Sequence, residues 1–176
     1  MDQDLAMIMD QVTLLGEMSE TDARKVMETV YEDGIVSRNE AETLFRIREQ
    51  LQSTDPLWGP RFSEAVKDYL LGKEPPEGWV TNEEASWLIG EIKRFGDVPC
   101  LDDIDLMLAV LRHAEGAPQE LALFALDAVC QQIKTSGRAS SNLVDRARAA
   151  VFAMSSDGGT WVSRNEAALL LSLIHI

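Results

Sequence analysis

Three stretches of the chain give the backbone the same instruction: turn, extend, then enter a helix. They are Asp33-Gly34-Ile35-Val36-Ser37-Arg38-Asn39-Glu40, Glu77-Gly78-Trp79-Val80-Thr81-Asn82-Glu83-Glu84, and Asp157-Gly158-Gly159-Thr160-Trp161-Val162-Ser163-Arg164-Asn165-Glu166. Gly34 and Gly78 can take the positive φ that closes a helix. The bulky or β-branched pairs Ile35-Val36 and Trp79-Val80 favour extended backbone. Ser or Thr then stands three residues before Glu, as Ser37/Glu40, Thr81/Glu84 and Ser163/Glu166. That spacing is a capping box, in which hydroxyl and carboxylate satisfy the amides a new helix leaves free. Helical apolar spacing follows each box: Ala41, Leu44 and Phe45; Ala85, Leu88, Ile89 and Ile92; Ala167, Leu170 and Leu171.

The same spacing recurs along the chain. Leu5, Ile8, Met9, Val12 and Leu15 form a stripe that Gly16 ends, and Ser19 or Thr21 caps the next helix, with Asp22 in its first turn. Asp55 reads as an N-cap with Pro56 at the first helical position, ahead of Phe62, Ala65, Val66, Tyr69 and Leu70. Gly72 and Pro75-Pro76 stop that helix. Asp102 or Asp103 opens a helix with Ile104, Leu106, Met107, Val110 and Leu111. Pro118 opens one with Leu121, Phe124, Ala125, Ala128 and Val129, and residues 134–141 read as a loop. Leu143, Ala147, Ala150, Val151 and Met154 make the next helix. The expectation is an all-α, multi-helix bundle of about eight helices with short Asp-Gly turns, in one domain over 1–176. Ile35-Val36 and Trp161-Val162 suit a short antiparallel bridge between turns.

The formal net charge is −14, and Lys and Arg are scattered singly or in pairs such as Arg24-Lys25 and Lys93-Arg94. A duplex-binding or membrane-surface protein needs a basic stripe, so neither nucleic acid nor a membrane surface is an expected partner. No apolar run reaches the length of a membrane span, and Met1-Asp2-Gln3-Asp4 lacks the basic start of a secretory signal. The expected location is cytoplasmic, without direct membrane insertion. Cys100 and Cys130 form no metal-ligand or redox motif and read as reduced thiols, at least one of them buried.

The chain also repeats itself. Ala147-Arg148 and Asp157-Gly158 match Ala23-Arg24 and Asp33-Gly34 at one common offset, and Gly159-Thr160 is an insertion in the later copy. Residues 143–171 therefore read either as the return of a helix pair in one bundle or as the start of a second, truncated copy. In the last residues, 171–176, the polar side of the helix turns apolar. They read as non-native sequence of the read-through kind; the alternative is a hydrophobic terminus packed in the bundle.

The helix–Asp-Gly-x-Val-Ser-x-x-Glu–helix unit of residues 30–40 resembles the TerB-like family, which includes tellurite-resistance TerB and a co-chaperone-like domain of a membrane-anchored DnaJ-type protein. The resemblance is best over 23–50 and 147–171, and the stretch between looks like an uncharacterised bacterial branch. It implies an all-α bundle, association with stress-response or membrane-associated complexes, and acidic residues that bind metal. It carries no catalytic mechanism. The inserted Gly159-Thr160 and Glu77 in place of Asp depart from the pattern.

The sharpest chemical candidate is a divalent cation, because Asp-Gly-x-Val-Ser-x-x-Glu matches the latter part of a calcium-binding loop. Such a loop needs oxygen ligands at positions 1, 3 and 5 besides its final Glu. Counting back from Glu40 these are Thr29, Tyr31 and Asp33; from Glu84, Lys73, Pro75 and Glu77; from Glu166, Ser155, Asp157 and Gly159. Each copy lacks most of the carboxylates. A weak site shared by two turns would use Asp33, Glu40, Asp157 and Glu166; the plainer role is turn shaping by Asp and helix capping by Glu. His113 reads as a surface residue at a helix C-terminus. The four tryptophans read as core or turn anchors, with Trp58 and Trp79 as alternative groove residues. No catalytic set is present, so a non-enzymatic module that binds another protein is expected, with a cation-binding protein as the alternative.

Overall fold

The computed structural model describes residues 7, 9–10, 12, 14–51, 53–54, 58–72, 77–153 and 164–173, without the side chains of 53, 54 and 166. The chain is all-α. Its bounded helices are α1 (Glu20–Val30), α2 (Arg38–Gln50), α3 (Trp58–Gly72), α4 (Asn82–Lys93), α5 (Leu101–His113), α6 (Gln119–Ser136), α7 (Ser141–Ala153) and α8 (Arg164–Leu171). The described residues between 7 and 15 are helical as well, and Gly16 N–H closes that segment on Val12 O at 2.7 Å. Among the described residues, extended pairing is confined to two places. Strands β1 (Glu17–Met18) and β2 (Ser53–Thr54) run parallel, and an isolated parallel bridge joins Trp79 to Gly116. The expected bridge of Ile35-Val36 to Trp161-Val162 has its second partner outside the described residues.

The chain's contacts gather into two compact units, Met1–Glu77 and Gly78–Ile176. The boundary falls just after Pro75-Pro76, inside the middle turn.

In the first unit, α3 packs against both α1 and α2. Its buried face is Trp58, Phe62, Ala65, Val66, Tyr69 and Leu70, the spacing one helical face dictates. Phe62 meets Phe45 of α2 edge-on, with ring centroids 5.0 Å apart, and Trp58 at 6.2 Å. Edge-on contact places the positive rim of one ring against the negative face of the other. Thr43 is buried on α2 without penalty because its hydroxyl donates to Asn39 O at 2.7 Å.

In the second unit, α6 packs against α4, α5, α7 and α8, and α5 also packs against α7. A central helix must be apolar on most sides. Accordingly, α6 buries Leu121, Ala122, Ala125, Leu126, Ala128, Val129, Cys130 and Ile133. Arg146 of α7 ties back to Asp105 of α5 through two parallel bonds, Nε–Oδ1 2.8 Å and Nη2–Oδ2 2.6 Å. The fork raises the guanidinium pKa, chiefly through the hydrogen bond to Asp105. The two members of the sequence repeat are helix pairs, α1–α2 in one unit and α7–α8 in the other.

Several helix ends differ from expectation. Helix α5 is capped from Cys100, not from Asp102 or Asp103; the buried Asp103 sits at the third helical position and accepts Cys100 N–H at 2.9 Å. The reach-back that Glu makes elsewhere is made here by a shorter carboxylate. The loop expected over 134–141 is half helix: α6 runs to Ser136 and stops at Gly137, whose φ is +66°. The single Ser136 hydroxyl proton is shared between Arg138 O (Oγ–O 2.9 Å) and Ile133 O (3.1 Å) across that stop. The expected Asp55-Pro56 cap lies outside the described residues.

Candidate functional site

The turn that organises the sequence is built as its residues demand. Gly34 and Gly78 sit at φ +78° and +81°. Ser37 and Thr81 both close reciprocal boxes. Glu40 N–H donates to Ser37 Oγ (3.3 Å) and Ser37 N–H to Glu40 Oε2 (2.6 Å). Glu84 N–H donates to Thr81 Oγ1 (3.2 Å) and Thr81 N–H to Glu84 Oε2 (2.8 Å). Of the two caps expected for α1, Ser19 rather than Thr21 serves, and it closes a further box with Asp22. Its signal was present as Ser-x-x-Asp, in which Asp does the work of Glu. Ser163 directly precedes α8 but lies outside the described residues.

The four residues named for a shared cation site fare unequally. Asp33 Oδ1 accepts Ile35 N–H at 2.9 Å, the bond by which Asp shapes a turn. Glu40 is engaged in its cap. Asp157 lies outside the described residues, as does the Glu166 side chain on α8. No group of three or more His, Cys, Asp or Glu side chains able to hold a metal occurs among the described residues. Asp33 and Glu40 thus each already hold a backbone N–H.

Beside the first turn lies a cavity of about 290 Å³ lined by Tyr31, Gly34, Ile35, Val36, Asp68, Leu71 and Gly72. The Tyr31 hydroxyl donates to Asp68 Oδ2 at 2.8 Å, while Lys67 Nζ stands 3.5 Å from Asp68 Oδ1. Burial pushes the Tyr31 phenol well above its ordinary range, helped by its bond to Asp68 and the nearby charges of Asp68 and Glu64.

The middle turn is clasped to the loop between α5 and α6. Val80 N–H donates to Gly116 O at 2.9 Å, and Glu115 N–H to Gly78 O at 2.7 Å. The Trp79 ring lies against Gly116 and its indole N–H reaches Glu115 Oε2 at 3.2 Å. A Cβ at Gly116 would stand 2.3 Å from Trp79 Cζ3. Trp79 is therefore a turn anchor, though 47% exposed, whereas Trp58 is core at 3%.

On the second unit a groove of about 660 Å³ runs along α6. Leu123 and Phe124 of α6 form its floor, Ile89 and Lys93 of α4 one wall, and Ala168 and Leu169 of α8 the other. Glu120 and Asp127, two helical turns apart on α6, bracket the apolar floor. Lys93 Nζ lies 5.2 Å from the Phe124 ring centroid, a cation held over an aromatic face. Phe124, expected inside, is half-buried on the groove floor. His113 is exposed as expected, with Nδ1 2.7 Å from Ala109 O. Cys130 is buried and Cys100 exposed; neither is in a disulfide, and burial pushes the Cys130 thiol upward. No helix among the described residues is long and apolar enough to cross a membrane.

The fold and these surfaces define an all-α protein with an open apolar groove. No family model matches the chain, and no curated protein or solved structure does.

Proposed function

We propose that the chain is a non-enzymatic helical module of the TerB-like kind that binds another protein through the groove along α6. A cytoplasmic stress-response complex of the tellurite-resistance type is the setting the resemblance suggests. The observation that carries the reading is the groove itself. Its floor and walls present Ile89, Leu123, Phe124, Ala168 and Leu169, from three helices, to one open space of about 660 Å³. Apolar side chains around an open groove mark partner sites, because each gains by leaving water. The groove spans two turns of α6, a length that suits the anchors of an amphipathic helix laid into it.

The test is a photo-crosslinking residue at position 123, with position 138 as the exposed control. A discrete adduct at 123, absent at 138 and abolished by Ala168→Glu, is expected. Equal adducts at both positions would remove the groove from the account.

The alternative is a divalent-cation protein using Asp33, Glu40, Asp157 and Glu166. Asp33 and Glu40 already hold backbone N–H groups, so a cation would compete with the turn that positions them. Calorimetry with calcium, zinc and manganese decides between the readings. Heat of binding with a raised melting temperature would favour the cation.

A further inference from the structure

Two helices end at the cavity beside the first turn, and neither carries a basic residue in its last turn. Tyr31 is the C-cap of α1, and Leu71 and Gly72 close α3. A helix C-terminus exposes carbonyl oxygens and acts as a partial negative charge, which Lys or Arg usually offsets. Asp68 adds a full negative charge, 42% exposed at its side chain, and Glu64 lies one turn earlier on the same face of α3. The lining is also apolar, with Ile35 55% exposed and Val36 buried. The cavity thus joins a negative end to an apolar flank.

We propose that this cavity receives one basic side chain, an arginine or lysine, from a partner polypeptide. The apolar stem would lie along Ile35 and Leu71, and the charged head would meet Asp68 and the two helix ends. A divalent metal ion fits worse, because such ions take six or more oxygen ligands and, among the described residues, Asp68 is the one carboxylate lining the cavity. Tyr31 serves as a positioning residue: its hydroxyl holds Oδ2 of Asp68, so Oδ1 is the oxygen an incoming cation would share. Lys67, 3.5 Å from Oδ1, is the resident competitor that an incoming cation must displace or share with. The inference is independent of the α6 groove.

The test is a backbone NMR titration of the full chain with an acetylated, amidated Gly-Arg-Gly peptide, against the same peptide carrying citrulline, which keeps the shape and removes the charge. Saturable shifts confined to Gly34, Ile35, Asp68 and Leu71 are expected with arginine and not with citrulline. Asp68→Asn should weaken binding about fivefold, as for a strong half-exposed ion pair, and Tyr31→Phe should weaken it less. Lys67→Gln should strengthen it. Equal shifts with citrulline, or shifts spread over the acidic surface and insensitive to Asp68→Asn, would overturn the assignment.

Discussion

Replacing Gly116 by Ala tests the clasp of the middle turn by adding one methyl group. The backbone at Gly116 does not need glycine, since Gly116 is not among the positive-φ residues. The new Cβ would stand 2.3 and 2.5 Å from Trp79 Cζ3 and Cε3, too close for the ring to stay. Trp79 is 47% exposed, so about half its side chain is covered. Covering roughly 100 Å² of an aromatic ring is worth about 2.5 kcal/mol at ~25 cal/mol per Å². Losing most of that, with the indole bond to Glu115, is offset by about 0.4–1 kcal/mol from the stiffer unfolded chain. The net expectation is a loss of roughly 1–2 kcal/mol, or about 4–16 °C in the melting temperature of a unit this size. Chemical denaturation of G116A, W79A and the double variant forms a cycle. In the Trp79→Ala background, Gly116→Ala should cost nothing or stabilise slightly, because no ring remains to strike. A cost of equal size in both backgrounds would refute the steric argument and place the need for glycine elsewhere.

Ser37→Ala and Thr81→Ala should each lower stability by about 1 kcal/mol, the usual worth of an N-cap, in denaturant unfolding with unchanged slope. The Tyr31 phenol is raised above its unfolded range by burial and by Asp68, so the folded state keeps a proton that the unfolded state loses. Its contribution is complete below pH ~10 and should decline as pH rises from there. Tyr31→Phe should flatten that decline in pH-dependent melting. In a double-mutant cycle, Arg146→Gln and Asp105→Asn should show a coupling of about 0.5–1 kcal/mol. That is modest because Asp105 is half exposed, and it should shrink further in high salt.

The fold was legible wherever a local device decided it. Ser37 and Thr81 fixed helix starts because their bonds reach only three residues, and Phe62, Ala65, Val66, Tyr69 and Leu70 fall on one buried face because the helical period puts them there. Boundaries were missed where a residue could serve two ways. Asp103 looks like an N-cap in sequence and acts from the third position, and Lys134 to Ser136 looks polar enough for a loop yet forms the exposed last turn of α6. The surfaces were less legible. The cavity at Tyr31 joins residues 37 apart in the chain through the Asp68 bond, and no spacing rule anticipates that meeting. Gly116 is similar: its neighbour is the Trp79 ring, a tertiary fact. The groove needed α4, α6 and α8 together, so Phe124 read as core until its surroundings were known.

One turn, built from glycine, two extended residues and a Ser/Thr-to-Glu box, starts a helix wherever the chain repeats it. Backbone and Cβ chemical shifts of Ser37, Thr81 and Ser163 test it most directly, because Ser163 is the instance outside the described residues. Extended, N-cap-type shifts are expected at all three positions, with helical shifts from the following residue onward. Helical or random-coil shifts at Ser163 would contradict it.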